Sequence, residues 1–361
     1  MSVLTIVVFI FAIIGALDYV LGNKLGLGKE FEKGFMLLGV MALSMIGMIV
    51  IAPWLAELVR PALDFVADKL HLDPSIVPAS LFANDMGGAP LAVEVARNAE
   101  IGKFNALVVS SMMGCTISFT IPFALGMVKK EQHPSLIYGL LCGIITIPVG
   151  CLVAGLICRL PIVALLVDLL PLVLLAGVIS LGLLKAPNLC VKIFKVFGFF
   201  ITALIITGLM LGIYEFLSGK KLIASLAPLE EGAMICVNAS IFLAGAFTFM
   251  SIISRLLSRP LKALGRKVGI NEDAALGVLS CIVTNAASFG TMEKMDEKGS
   301  MINSAFAVSA AFTLGGHMAF TMAFDPSYIV PVIVGKLVAG LCALVVAYFV
   351  YPKVGKAGKK S

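Results

Sequence analysis

Asp85 stands in the stretch Phe82-Ala-Asn-Asp-Met-Gly-Gly-Ala-Pro-Leu-Ala-Val-Glu94, inside a run that is otherwise apolar. A carboxylate placed in the middle of a bilayer-spanning segment costs about 3 kcal/mol on insertion scales, so it faces protein or a wet cavity rather than lipid. Met86-Gly87-Gly88-Ala89-Pro90 follows at once. Glycine in a helix interior costs about 1 kcal/mol and proline about 3, so these residues predict a break. A break releases backbone N–H and C=O groups, which lipid cannot satisfy, and irregular backbone at that depth lines protein or a water-filled space. Asn84, Asp85 and the freed backbone together can therefore hold one small cation and a hydrogen-bonding group beside it. The alternative is a structural acid satisfied by its own backbone neighbours.

A second short stretch, Thr284-Asn-Ala-Ala-Ser-Phe-Gly290, has Asn285 opposite Asn84 but Ala286 opposite Asp85. Two amides with one acid suit a single cationic group and neutral partners. The segments after each break add Asn105, Ser110, Ser111, Thr116 and Ser118, then Asn303, Ser309, Thr313 and His317. Small residues that let helices approach closely account for many of the serines and for the glycines among them. Asn105 and Asn303 are poor choices for lipid contact and remain site candidates. Phe82 and Phe119 offer aromatic faces for cation–π attraction. Glu94 and Glu293 end the short segments near Arg97 and Lys294, as gate residues or surface ion pairs. Asp18, Asp168 and Lys336 are further ionisable residues inside apolar windows. Lys336 is a candidate for coupling or gating, or a stabilising partner for a carboxylate. His317 is a candidate pH sensor or a satisfied core histidine.

The elements that position these residues follow from composition. The chain has 361 residues, 60% hydrophobic and 13% charged, where soluble domains carry about 25% charged residues. Apolar windows of about twenty residues, the length that crosses a hydrocarbon core, recur throughout. The class is an all-α polytopic membrane protein. The net charge of +6 comes from Lys and Arg lying mostly between apolar segments, where orientation in a bilayer explains them, so nucleic-acid binding is not expected. Eight scattered cysteines without CxxC pairing read as small buried hydrophobes. No HExxH or GxSxG string is present, so the chain reads as no enzyme, with no metal and no cofactor. Segment 2–22 lacks a basic n-region and a cleavage site and reads as a retained first helix.

Full-length apolar segments fall at 2–22, 35–58, 105–128, 135–158, 160–184, 189–215, 232–254, 301–323 and 327–351, with shorter, interrupted ones at 78–97 and 273–291. Val59-Arg-Pro-Ala-Leu-Asp-Phe echoes Ser258-Arg-Pro-Leu-Lys-Ala-Leu, and Asn105-Ala-Leu-Val-Val-Ser-Ser111 echoes Asn303-Ser-Ala-Phe-Ala-Val-Ser309. Pro134-Ser-Leu-Ile echoes Pro326-Ser-Tyr-Ile, and the three offsets are 199, 198 and 192. The reading is a first membrane repeat over 1–158, a connecting helix over 159–188 and a second repeat over 189–361, all one transmembrane domain. If the two short segments are re-entrant, 19 Lys/Arg fall on one side and 7 on the other; if they cross, the split is 14 to 12. The positive-inside rule favours the re-entrant arrangement. It implies nine transmembrane helices, two re-entrant or broken segments, an N-terminus outside, a C-terminus in the cytoplasm and inverted repeats. Paired broken helices in inverted repeats place a transporter's binding site near the midplane.

Asn84-Asp-Met-Gly-Gly88, Ser111-Met-Met-Gly114, Ile121-Pro-Phe-Ala-Leu-Gly126 and Ile302-Asn-Ser-Ala-Phe-Ala-Val-Ser-Ala-Ala-Phe312 resemble the bacterial ethanolamine-utilisation transporter family (EutH). The similarity runs over nearly the whole chain, to Tyr351-Pro-Lys353. It implies an inner-membrane protein that brings ethanolamine into the cell, by facilitated diffusion with a cytosolic ammonia-lyase pathway drawing substrate inward. On that basis Asp85 would neutralise the ammonium, and Asn84, Asn285, Asn105, Asn303 or Ser111 would take the hydroxyl. Two positions depart from the family's pattern: Gly316 replaces an acid before the histidine, and Thr284 replaces an asparagine before Asn285. An ion-coupled symporter of another small amine or amino acid, driven by sodium or protons, is the competing reading. The partners expected are the small amine and the lipid bilayer, and the sequence leaves a homo-oligomer open.

Overall fold

The computed structural model describes residues 3–357. Ser2 of the first expected segment and the last lysines counted for orientation lie outside the described residues. The helices are α1 (Val3–Val20), α2 (Leu27–Leu70), α3 (Ile76–Leu81), α4 (Gly88–Val95), α5 (Ala99–Phe104), α6 (Ile121–Met127), α7 (His133–Ile144) and α8 (Ile147–Ile157). They continue with α9 (Ile162–Lys185), α10 (Pro187–Ser218), α11 (Leu229–Val268), α12 (Glu272–Val283), α13 (Asn285–Gly290), α14 (Glu297–Ser309), α15 (Gly316–Phe324) and α16 (Ile329–Ala357). Between α5 and α6 the chain stays coiled but widens to π-helix over Asn105–Gly114 and Thr116–Thr120. Every regular element among the described residues is helical, as the composition requires.

Seven stretches are long and apolar enough to cross a bilayer, and Leu4–Val20 is a shorter apolar helix. The expected crossing 301–323 is not one helix. Its chain breaks between α14 and α15, where the Phe312 N–H donates to the Cys281 carbonyl (3.3 Å) and the Leu314 N–H to the Ile282 carbonyl (3.0 Å). Those carbonyls lie in the last turn of α12. The two interruptions thus satisfy each other's backbone, which lipid could not do. Gly315 fits there because a Cβ would sit 2.2 Å from the Val283 carbonyl oxygen.

The two longest helices form the spine. α2 has 44 residues and α11 has 40, about 66 and 60 Å at 1.5 Å per residue, far beyond the 30 Å hydrocarbon core. The stretches around Pro61 and Pro260 therefore continue these helices past the apolar zone. Gly34 packs against Ala244 and Gly232 against Ile46, so α2 and α11 run antiparallel. A Cβ at Gly34 would lie 2.3 Å from the Ala244 nitrogen, and one at Gly47 would lie 1.8 Å from the Ile205 carbonyl on α10. Glycine is what lets these backbones meet.

Candidate functional site

The first break occupies Phe82–Gly87, between α3 and α4. Asn84–Met86 make one tight turn, and Gly87 takes φ +104, where any Cβ would also strike Met48 of α2. Pro90 is tolerated because it falls in the first turn of α4, where its missing N–H leaves no intrahelical bond unmade. The Ser118 hydroxyl receives the Ala83 N–H at 3.1 Å and passes its own proton to the Gly114 carbonyl at 2.7 Å. The π-helical stretch is thereby tied to the break.

The Asp85 side chain keeps 30% of its surface accessible. His317, in the first turn of α15, places Nε2 3.9 Å from Asp85 Oδ1. On the far side of the ring, Nδ1 lies 3.2 Å from Lys336 Nζ, and Lys336 also donates to the Ser111 carbonyl at 2.6 Å. Lys336 is 1% exposed and His317 2%. An ammonium has only protons to offer, so Nδ1 must accept and the neutral ring carries its proton on Nε2, toward Asp85. The gap of 3.9 Å exceeds a hydrogen bond. A carboxylate and an ammonium therefore face each other across a neutral histidine.

Four of the residues singled out in the sequence, Asp85, His317, Lys336 and Ser111, converge here. Asn84 is fully buried beside Asp85, and neither its Oδ1 nor its Nδ2 has a partner. Asn285 donates to Thr120 Oγ1 at 3.2 Å and keeps an unpartnered Oδ1. Buried polar groups in folded proteins are nearly always satisfied, so such atoms mark a place where a polar guest fits. Phe119 stacks on Phe123 with centroids 5.1 Å apart and meets Phe312 edge-on at 5.7 Å; Phe312 lies 5.0 Å from the His317 ring. An aromatic row thus leads to the histidine.

The other candidates go elsewhere. Asn303 donates to the Ala274 and Gly299 carbonyls, both at 2.9 Å, and accepts from Ser288 at 2.9 Å. Its amide fastens α12 and α13 to α14. Asn105 donates to Ser75 Oγ at 3.0 Å, further from Asp85 along the π-helical stretch. The Phe82 ring turns to Phe197 of α10, 5.7 Å away. Glu293 is exposed and pairs with Lys129 at 2.6 Å rather than with Lys294, and its carboxylate holds the Lys129 ammonium above its ordinary range. The Glu94 carbonyl accepts from Arg60, while Arg97 pairs with Asp64 and Asp68, whose carboxylates push its guanidinium pKa up further.

Sequence reasoning missed Phe312, which takes φ +61, a conformation unusual for a bulky side chain. Nothing in its local sequence signals it, because the backbone bonds to Cys281 and Ile282 impose it. Gly316 is open toward Asp85: a Cβ there would meet only Asp85 Oδ2, at 3.7 Å. Gly316 thus lies directly beside the Asp85 carboxylate.

Two cavities approach the breaks from opposite ends of the antiparallel α2–α11 pair. One of about 490 Å³ is lined by Glu30, Lys33, Arg255 and Ser258 and reaches Thr284 and Ala287. The other, about 260 Å³, is lined by Pro53, Glu231 and Glu94 and reaches Pro90.

Spanning helices and paired interruptions, with a carboxylate and a buried lysine on either side of a histidine at their junction, define a multi-pass membrane protein with the interior of a transporter. The chain belongs to the family described as ethanolamine utilisation protein, EutH, whose model matches residues 1–350. It is 41% identical over 362 residues to the probable ethanolamine permease EutH of Listeria monocytogenes, covering 99% of this chain and 97% of that one. It is 36% identical over 352 residues to the probable ethanolamine permease EutH of Escherichia coli, covering 91% and 86%. It is also 37% identical over 355 residues to the uncharacterized protein YxeR of Bacillus subtilis, covering 98% and 96%. No solved structure matches the chain.

Proposed function

We propose that the protein carries ethanolamine, as a small ammonium alcohol, across the bacterial inner membrane by facilitated diffusion through the Asp85 site. The observation that carries this reading is the Asp85 carboxylate 3.9 Å from His317 Nε2, with the Lys336 ammonium behind the ring. The substrate ammonium neutralises Asp85, and its hydroxyl bonds to the free Asn84 amide or to Asn285 Oδ1. Phe312 and Phe119 shield the site from water. Lys336 is the resident positive charge: it balances Asp85 while no substrate is bound, so the empty site is electrically neutral and the loaded site carries the single positive charge of the substrate.

Residues 1–158 and 189–361 are read as inverted repeats about the 159–188 connector. The antiparallel α2 and α11, which correspond in the repeat, support that reading, as do the two cavities at opposite ends. The N-terminus is placed outside and the C-terminus in the cytoplasm, from the distribution of Lys and Arg.

The test is uptake of labelled ethanolamine into proteoliposomes, wild type beside Asp85→Asn, with and without sodium or proton gradients. Gradient-independent uptake that the variant loses supports the proposal. Uptake that requires a gradient makes the protein a symporter, and uptake intact in Asp85→Asn removes the acid from the site.

A further inference from the structure

A second buried carboxylate has no role in the site above. Asp18, Asp73 and Asp168 all lie at the ends or inside of apolar helices, and the first two explain themselves. Asp18 accepts the N–H groups of Leu25, Leu27 and Gly28 at 2.8–2.9 Å and closes the turn from α1 to α2. Asp73 accepts from the N–H and hydroxyl of Ser75 and from the N–H groups of Arg97 and Asn98, at 2.6–3.1 Å. Asp168, in the second turn of α9, is 3% exposed, and the one donor beside its carboxylate, the Asn105 amide, does not reach normal hydrogen-bond geometry with either oxygen. Fold construction gives no reason for it, since burying a carboxylate without well-placed donors is strongly unfavourable.

Asp168 lines a cavity of about 580 Å³ with His71, Asp73, Asn98 and Ile101, where the C-terminus of α2, the start of α5 and the start of α9 meet. The Asn105 side chain lies beside Asp168. Its Nδ2 gives one proton to Ser75 Oγ and holds the other toward Asp168, and its Oδ1 is unpartnered. The atoms left without a full partner are all acceptors: the Asp168 carboxylate oxygens and the Asn105 amide oxygen. A primary ammonium presents three donors and no acceptor, which matches that set. No group of three or more His, Cys, Asp or Glu able to hold a metal ion occurs among the described residues, and the cavity is far larger than a bare ion needs.

We infer that this cavity is a second binding site for a small primary ammonium, a vestibule that receives the cargo before it reaches Asp85. The inference rests on the reading of the cargo as an ammonium. Asn105 begins the same π-helical stretch whose Ser111 carbonyl holds Lys336, so the two sites share one element. Asp168 collects the cation at the membrane end that the Lys and Arg distribution assigns to the outside.

Equilibrium binding of labelled ethanolamine and labelled methylammonium to the purified protein in lipid nanodiscs tests this. Wild type is expected to bind two equivalents of ethanolamine per chain. Asp168→Asn and Ala164→Trp, which fills the cavity from its rim and leaves the acid in place, are each expected to bind one. In uptake, Asp168→Asn is expected to raise KM about 10-fold with Vmax within about 2-fold, the loss of one charge contact of roughly 1.4 kcal/mol. Asp85→Asn should retain one equivalent and transport nothing. A wild type that binds a single equivalent, unchanged in Asp168→Asn and Ala164→Trp, overturns the vestibule while leaving the Asp85 site standing. Methylammonium bound at a site lost in Asp168→Asn, with no ethanolamine bound anywhere, upholds the vestibule and overturns the substrate. No binding of either amine overturns both.

Discussion

The two interruptions that come together at the core are built alike and charged differently. The first, between α3 and α4, carries Asp85 and an unpartnered Asn84, and its backbone is met by the Ser118 hydroxyl. The second, between α12 and α13, has Asn285 and Ala286 at the matching places, and its carbonyls are met by the chain between α14 and α15. One half of the molecule brings the anion. The other brings His317 and Lys336, the groups that face it. The core is thus electrostatically asymmetric between the two interruptions, which suits the proposed cargo with a charge at one end and a hydroxyl at the other.

The largest test of that division moves the acid across it. Asp85→Ala combined with Ala286→Asp keeps the charge count but takes the carboxylate away from His317. Uptake is expected to stay down by more than ~100-fold, since an unpaired buried charge costs about 3–5 kcal/mol. Recovery in the double variant would show that the halves are interchangeable. Lys336→Met comes next. Without the resident charge the empty site holds an unbalanced acid, so exchange of bound for free ethanolamine is expected to persist while net uptake falls about 10-fold or more, a barrier increase of roughly 1.4 kcal/mol. Equal loss of exchange and net uptake would deny Lys336 that role.

Smaller changes sharpen the comparison. Gly316→Asp adds a carboxylate beside Asp85 Oδ2, and a tighter apparent affinity by about 5-fold, near 1 kcal/mol, is expected from competition uptake assays. The Lys103–Asp325 ion pair, 2.8 Å, joins the end of α5 to the end of α15. Partial burial would raise the Asp325 carboxyl, but Lys103 and the Ser327 hydroxyl and N–H outweigh it and hold it below the usual carboxylate range. A depressed acid stabilises above its unfolded pKa, and the contribution is lost as pH falls through the folded value. Asp325→Asn is therefore expected to lower Tm slightly at pH 7, by the ~1 kcal/mol or less of a partly exposed pair, with the difference vanishing below about pH 4. Glu293→Gln, at the exposed Lys129 pair, should change uptake by less than about 2-fold.

Much of this was legible in the residues. Gly87-Gly88 and Pro90 announced the first break, and Asp85, His317 and Lys336 were singled out as ionisable residues that the fold then brings side by side. What sequence could not give is long-range. Lys336 meets the carbonyl of Ser111, a residue far away in the chain, and a backbone acceptor leaves no trace in residue type. The interruption at Ala310–Gly315 was hidden because Ala310, Ala311 and Leu314 are good helix formers. Hydrogen bonds to the Cys281 and Ile282 carbonyls override that preference, and only Gly315-Gly316 hinted at it. Asn105 and Asn303 were equivalent in the sequence, and only their neighbours separate an amide with a free oxygen from one whose bonds are complete.

Lys336 also has a consequence for how the chain is made. It sits within α16, the last helix, and a lysine at the centre of a spanning helix costs about 3 kcal/mol to insert alone. Its acceptors, the Ser111 carbonyl and His317 Nδ1, belong to segments synthesised earlier. When α16 leaves the translocon, its charge has a prepared place, so membrane integration of the C-terminal helix is coupled to prior packing of the helices before it. Truncation or misfolding upstream would strand this lysine in lipid and expose the nascent protein to quality control.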